Sequence, residues 1–427
     1  MDVETAQLVE RLNHGDIDTR LKTLKLLMDK VNAGEIERPV QGNDVNNHIH
    51  TTYSFSPYSP AKAIWMAYMA GLKTAGIMDH DTISGAREFI EAGKIVGIAT
   101  TIGVECRADF SDTPLKGRRI NNPDQKTIAY VAIHGIPHTQ IDKVSSFFVK
   151  YVEERNKRNR LMVERINGIM APYGIQIIFD NDVVPISRSH EGGSITERHL
   201  LYALSLKLIE KFGKGSKLLN FLKDELGLDV KPRIAGYLSD AENPYYAYDL
   251  LGVLKSDMVS RFYIDATSEC PDIKEVVKLS NEIGAILAYA YLGDVEDSVT
   301  GDKKKQKFED DYLDLLFEVI GELGFHAVTY MPSRNSMEQL KRVKELCEKH
   351  GFFQISGEDI NSPRQSFVCS RLRDPEFANL VDSTWALIGH EKIATQDIEK
   401  GLFTPNTVSK YPDLKKRIEI FKKIGQG

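Results

Sequence analysis

From residue 45 onward the chain alternates short apolar, β-branched runs with stretches of helical period. The runs VNNHIHT (45–51), AGIMD (75–79), ATTIGVE (99–105), TIAYVAIH (127–134), GAILAY (284–289), FHAVTY (325–330) and FFQIS (352–356) predict seven strands. Helical periods fall at 60–71, 84–95, 309–322 and 336–350. In the last, Met337, Leu340, Val343, Leu346 and Cys347 share a face, and Gly351 is placed to end the helix. Strands alternating with helices predict an α/β fold.

Either side of this pattern the periodicity is helical alone. Ile17, Leu21, Leu24, Met28 and Val31 recur at three and four residues, which predicts an N-terminal helical extension over 1–40. The chain then divides into a first barrel part (41–140), an inserted and mainly helical subdomain (141–270), a second barrel part (271–370) and a C-terminal helical tail (371–427). Residues 293–311, rich in Asp and Lys, read as an exposed loop.

Composition removes several classes of function. Over 427 residues the formal net charge is −6, so the basic excess that neutralises a nucleic-acid backbone is missing and a polymeric nucleic acid is not the expected partner. The start, MDVETAQLVE, has no basic segment leading into an apolar one, and no apolar run is long enough to span a bilayer; a cytoplasmic protein with no membrane partner is expected. The four cysteines form no CxxC pair and read as reduced.

The candidate chemistry collects at strand ends. His48 and His50 lie two apart on the first strand and so project to one side, as two ligands of one metal must. Alone, such a pair is as well explained by two surface histidines. The second strand, however, runs into Asp79-His80-Asp81, the third ends at Glu105, the fourth at His134, and the seventh leads to Glu358-Asp359. In a parallel barrel these ends share one face, and His with Asp or Glu is the ligand set of Zn, Mn or Fe.

These residues carry a resemblance to the polymerase and histidinol phosphatase (PHP) family of metal-dependent phosphoesterases. HIHTTYSFSPYSP is similar to that family's first motif, HxHTxxSDG; GIMDHDTISG to its second, xTDHDTxxG; IGVE to its third; VAIHGI to its next histidine strand; and ISGEDIN to its last, GSDxH. SITERHLLYAL resembles the segment that presents Arg-x-His to the site. The resemblance implies a distorted (β/α)7 barrel in which His48, His50, Glu105 and Asp359 hold one divalent ion, Glu105 and His134 a second, and His80 belongs to a third. Asp79 and Asp81 then orient His80 or touch metal through water. Three positions depart from the family: Phe55 replaces the Asp of the first motif, Tyr289 stands where a later strand has His, and Asn361 replaces the last His. Tyr289 and Asn361 are left as weak ligands, Phe55 puts a ring toward the metal beside an open pocket at His80, and one or two ions (Zn, Mn or Fe) are expected in place of three.

Arg198 and His199, with Arg334 after the sixth strand, are the candidate substrate-binding groups, because a guanidinium grips two phosphate oxygens at once. The expected function is hydrolysis of a small phosphate ester by metal-activated water, with His199 as the catalytic acid. Two alternatives stay open: a metal-containing binding or regulatory protein, and a single-metal hydrolase or lyase acting on a non-phosphate substrate.

Overall fold

The computed structural model describes residues 2–294 and 306–427. Most of the 293–311 loop therefore lies outside the described residues. All seven predicted strands form: β1 (Val45–Ile49), β2 (Thr74–His80), β3 (Ala99–Asp109), β4 (Ile128–His134), β5 (Ile286–Ala290), β6 (Ala327–Tyr330) and β7 (Phe353–Ser356). They make one sheet in sequential order. β1, β2 and β3 are mutually parallel, as are β5, β6 and β7, but β4 runs antiparallel to both its neighbours.

This corrects the expectation that all strands run parallel. A parallel neighbour requires a crossover, usually a helix, whereas residues 110–127 between β3 and β4 hold only turns. The chain therefore doubles back, and the C-terminal end of β4 lies opposite to the others.

The sheet curls, and the segment beyond its β7 edge reaches back to β1. Past the end of β7, Ile360 bridges Ile49 of β1, with His50 N–H donating to Ile360 C=O at 3.0 Å and Ile360 N–H to His48 C=O at 3.1 Å. Gly357 permits this approach, since a Cβ there would stand 2.6 Å from His48 Cβ. The result is a curled, seven-stranded half-barrel. Helices Pro60–Met69, Ala86–Val96, Ile273–Ile283, Leu313–Leu323 and Met337–His350 pack outside it and bury Trp65, Phe89, Val276, Leu316 and Val343 in the main core. Inside the curl lies the tail helix Ala378–Gln396, which touches β1, β3 and β7 at once. Its Ala386 and Leu387 cluster with Ile286, Ala288, Phe353 and Ile355, and its Glu391 accepts hydrogen bonds from Thr101 Oγ1 (2.7 Å) and Ile102 N–H (2.8 Å) of β3.

Between β4 and β5 come the helices Ile141–Met170, Glu197–Phe212 and Tyr246–Phe262, built around a second hydrophobic cluster that includes Met162, Leu200, Leu204, Leu250 and Leu254. One residue of the β1–β2 segment joins that cluster: Phe55. The N-terminal helices Val3–Arg11 and Ile17–Asn32 are tied down by fully buried Arg20, whose guanidinium meets Glu88 at 2.9 and 2.6 Å. No helix among the described residues is long and apolar enough to cross a membrane.

Candidate metal centre

The curl brings the ends of β1 and β2, the middle of β3 and the segment after β7 to one place. Ligand atoms of His48, His50 and Asp359 lie within 4.8 Å of one another, as do those of His50, His80 and Glu105. Glu105 Oε2 is the hub, at 3.3 Å from His80 Nδ1, 3.5 Å from His48 Nε2 and 3.9 Å from His50 Nε2. His50 Nε2 stands 3.2 Å from Asp359 Oδ1. Bonds of about 2.0–2.1 Å in a tetrahedron put neighbouring ligand atoms roughly 3.3 Å apart, so this nitrogen and oxygen donor set fits a divalent ion.

The surroundings aim the ligands. Asp79 accepts hydrogen bonds from Thr51 N–H (2.7 Å), Thr51 Oγ1 (2.6 Å) and Ser54 Oγ (2.6 Å), so its carboxylate is fully occupied. Ser54 gives its proton to Asp79 and its oxygen then accepts from His50 Nδ1–H, 3.3 Å away, which leaves the Nε2 lone pair facing Asp359 and Glu105. Asp79 therefore orients His50 through Ser54, and not His80 as the sequence suggested. Asn361 is likewise an orienting group, its Nδ2 donating to Asp359 Oδ1 at 2.6 Å.

Charge follows from the same arrangement. Burial pushes the Asp359 carboxyl up, but the hydrogen bond and charge of His50, and then the charges of His48 and Arg198, outweigh it and hold the group well below the usual carboxylate range. Burial also opposes ionisation of Glu105, and His48, His80 and His50 reverse that, bringing it down to about 2. His80 is held at about 3, chiefly by burial. A neutral imidazole beside ionised carboxylates is the state in which these groups bind metal.

Three expected residues take other places, and a fourth, His134, lies deeper on the same face of the sheet as Glu105, within reach of the charges of His48 and Glu105. His134 pairs with Gly103, two residues before Glu105, which puts it roughly 7 Å down the strand from the hub and away from the site mouth. It is in neither ligand cluster among the described residues, and its buried Nε2 has no hydrogen-bond partner. Tyr289 points outward, because Ala288 faces inward and side chains alternate along a strand; its hydroxyl donates to Glu309 Oε1 at 2.9 Å. Phe55 turns from the ligand cluster, with a φ of +94°, and its ring packs edge-on against His199 (5.0 Å) and Tyr202 (5.6 Å). His199 is a buried helix cap whose Nδ1 accepts from Thr196 N–H at 3.0 Å; burial lowers it to about 3, so it is no imidazolium and no proton donor at neutral pH.

Arg198 lies near enough to Asp359 for its charge to help hold that carboxyl ionised, and it makes no hydrogen bond or ion pair among the described residues. Arg334 lies in the turn after β6, next to Ser333, which donates to Glu358 Oε2 at 2.7 Å beside Asp359. Two features of the site escaped the sequence. The antiparallel β4 places Tyr130 at the mouth, across from Arg107 and with its ring 5.8 Å from that of His80. Arg107 itself, two residues beyond Glu105 on the same face, enters a buried cluster of ion pairs with Glu269 and Glu197. The period of two along β3 was the available signal for Arg107.

Comparison with known proteins agrees with the architecture. The fold is shared with a protein of Bifidobacterium adolescentis provisionally named a metal-dependent phosphoesterase, at a TM-score of 0.50 and 19% identity, over 80% of this chain and 98% of that one. An amidohydrolase of Chromobacterium violaceum aligns at a TM-score of 0.49 and 16% identity, over 76% of this chain and 90% of that one. In sequence, 63 residues are 41% identical to a 5′-3′ exoribonuclease of Haemophilus influenzae, a match spanning 15% of this chain and 23% of that protein. No protein-family model matches the chain.

Proposed function

We propose that the chain is a metal-dependent hydrolase of a small phosphate ester. The observation that carries this reading is the cluster of His48, His50, His80, Glu105 and Asp359, joined by Arg198, a guanidinium without a protein partner among the described residues whose charge acts on Asp359. Such a group next to paired ligands is suited to an anion that approaches the metal with two oxygens to offer. A divalent ion held by His48, His50, Glu105 and Asp359, with His80 clustered beside His50 and Glu105, would supply Lewis acidity toward a phosphoryl oxygen and toward water.

The chain's own groups do the rest. Arg198 orients the phosphate and offsets the charge that develops on its oxygens as water attacks phosphorus and the ester P–O bond breaks. Arg334 lies in a turn on the same side and is the second cation of the reading. With His199 neutral and capped, the proton for the leaving oxygen comes from water, since burial pushes the Tyr130 hydroxyl well above the usual tyrosine range. The segment similar to a 5′-3′ exoribonuclease favours a nucleotide as the ester, and the net charge of −6 favours a small one over a long polymer.

A panel of phosphomonoesters and short nucleotides, assayed for phosphate or nucleotide release with Zn, Mn or Fe added, tests the reading. Turnover is expected, with Arg198→Lys raising KM about tenfold because the bidentate fork is lost while the charge remains. Absence of turnover across the panel by metal-loaded protein would overturn it.

A further inference from the structure

Beside the candidate metal centre, six charged side chains meet, five of them buried and Glu197 partly so. Arg107 comes from β3 and Asp81 follows His80; Arg155 and Arg158 lie on the Ile141–Met170 helix; Glu197 opens the Glu197–Phe212 helix; Glu269 precedes the Ile273–Ile283 helix. Arg107, Arg155, Arg158, Asp81 and Glu269 are each 6% exposed or less. Glu269 binds Arg107 and Arg158, Arg155 Nη2 lies 2.7 Å from Asp81 Oδ2, and Glu197 Oε1 accepts from Arg158 Nη2 at 2.6 Å and Arg107 Nη1 at 3.2 Å. Three cations and three carboxylates balance. A balanced buried cluster adds little stability over apolar packing, so its use lies in the geometry it enforces.

That geometry bears on Arg198. We propose that Glu197 is a positioning residue that holds Arg198 over the metal centre to receive an anionic group of the substrate. Successive residues of a helix point about 100° apart, so fixing Glu197 inward against Arg107 and Arg158 fixes the direction of Arg198. Arg107 stands on the same face of β3 as Glu105, which makes the link from metal ligand to guanidinium short: Glu105, Arg107, Glu197, Arg198. Thr196 Oγ1 adds a second tie, donating to Ser54 C=O at 3.4 Å in the turn whose Ser54 hydroxyl orients His50. Arg198 has no partner of its own among the described residues, so its placement is inherited from Glu197.

The inference rests on the reading of Arg198 as an anion-binding group. Glu197→Gln and Glu197→Asp, each in the wild-type and the Arg198→Met background, test it by titration calorimetry with inorganic phosphate on metal-loaded protein, by KM and kcat on any ester turned over, and by urea unfolding. Glu197→Gln is expected to weaken phosphate binding and raise KM about tenfold, with a smaller change in kcat, and to have no effect beyond about twofold once Arg198 is Met. Glu197→Asp keeps the charge balance and shortens the arm; it carries the same test at smaller amplitude if Glu197→Gln unfolds. Unchanged phosphate affinity, or equal losses in both backgrounds, overturns the proposal. Wild type that binds phosphate without turning over any ester overturns the hydrolase reading alone, and wild type that binds no phosphate overturns both.

Discussion

Restoring the first-motif carboxylate by Phe55→Asp is the substitution that best separates what the motif suggests from what the fold enforces. Phe55 is 7% exposed and packed among the second hydrophobic cluster, against His199 and Tyr202. Emptying a site of this kind costs about 3–5 kcal/mol, and placing a carboxylate there adds roughly 1–3 kcal/mol for the unpaired polar group, even after protonation. The φ of +94° gives some of this back only to glycine, which adopts the left-handed region without strain. The expected result is a loss of about 4 kcal/mol or more, close to the whole stability of an ordinary domain. Urea unfolding of metal-free protein measures it, with Phe55→Ala as the control for packing alone. Phe55→Asp should be less stable than Phe55→Ala, and the double variant with Asn361→His should bind no additional metal. A double variant of wild-type stability that gains one metal equivalent would refute the reasoning, since residue 55 would then face the ions.

Two further outcomes follow from the same contacts. Ser54→Ala removes the link between Asp79 and His50 and should weaken metal affinity about 10- to 100-fold, as competition with a chromophoric chelator would reveal; equal affinity would mean that Ser54 does not orient the ligand. Burial pushes Glu309 up to about 7, so the folded state holds its proton more tightly than the unfolded chain does. That contribution is complete below the ordinary pKa of 4.5 and is lost as pH rises through about 7. Glu309→Gln should therefore flatten the fall in stability across that window, by roughly 3 kcal/mol, and an unchanged pH profile would contradict the assignment.

Much of this was legible in the chain. The seven strands announce themselves because each is a short apolar run bounded by polar turns, and the clustering of His48, His50, His80 and Asp359 follows from the direction of β1, β2 and β7. What failed was the direction of β4. The missing helix in residues 110–127 carried that information, and reading it would have placed Tyr130 at the mouth and His134 deeper in the sheet. Tyr289 was misplaced for a related reason, since alternation along β5 decides which of Ala288 and Tyr289 looks inward. The burial of Phe55 and the balanced cluster around Arg107 depend on a helical segment folding back over 100 residues later, and no local pattern encodes such a contact. His199 shows the cost of that blindness: the pattern that suggests a catalytic pair is also a capped helix start, and packing decides between them.

The central claim is that His48, His50, Glu105 and Asp359 hold a divalent ion. It is tested most directly by the metal-to-protein ratio, from elemental mass spectrometry, of wild type, His48→Ala and Asp359→Ala purified without chelator. Removing either ligand leaves the remaining imidazoles and carboxylates clustered around an incomplete coordination sphere. One or two ions per wild-type chain are expected, with most of them lost in each variant. A ratio unchanged in both variants would contradict the claim.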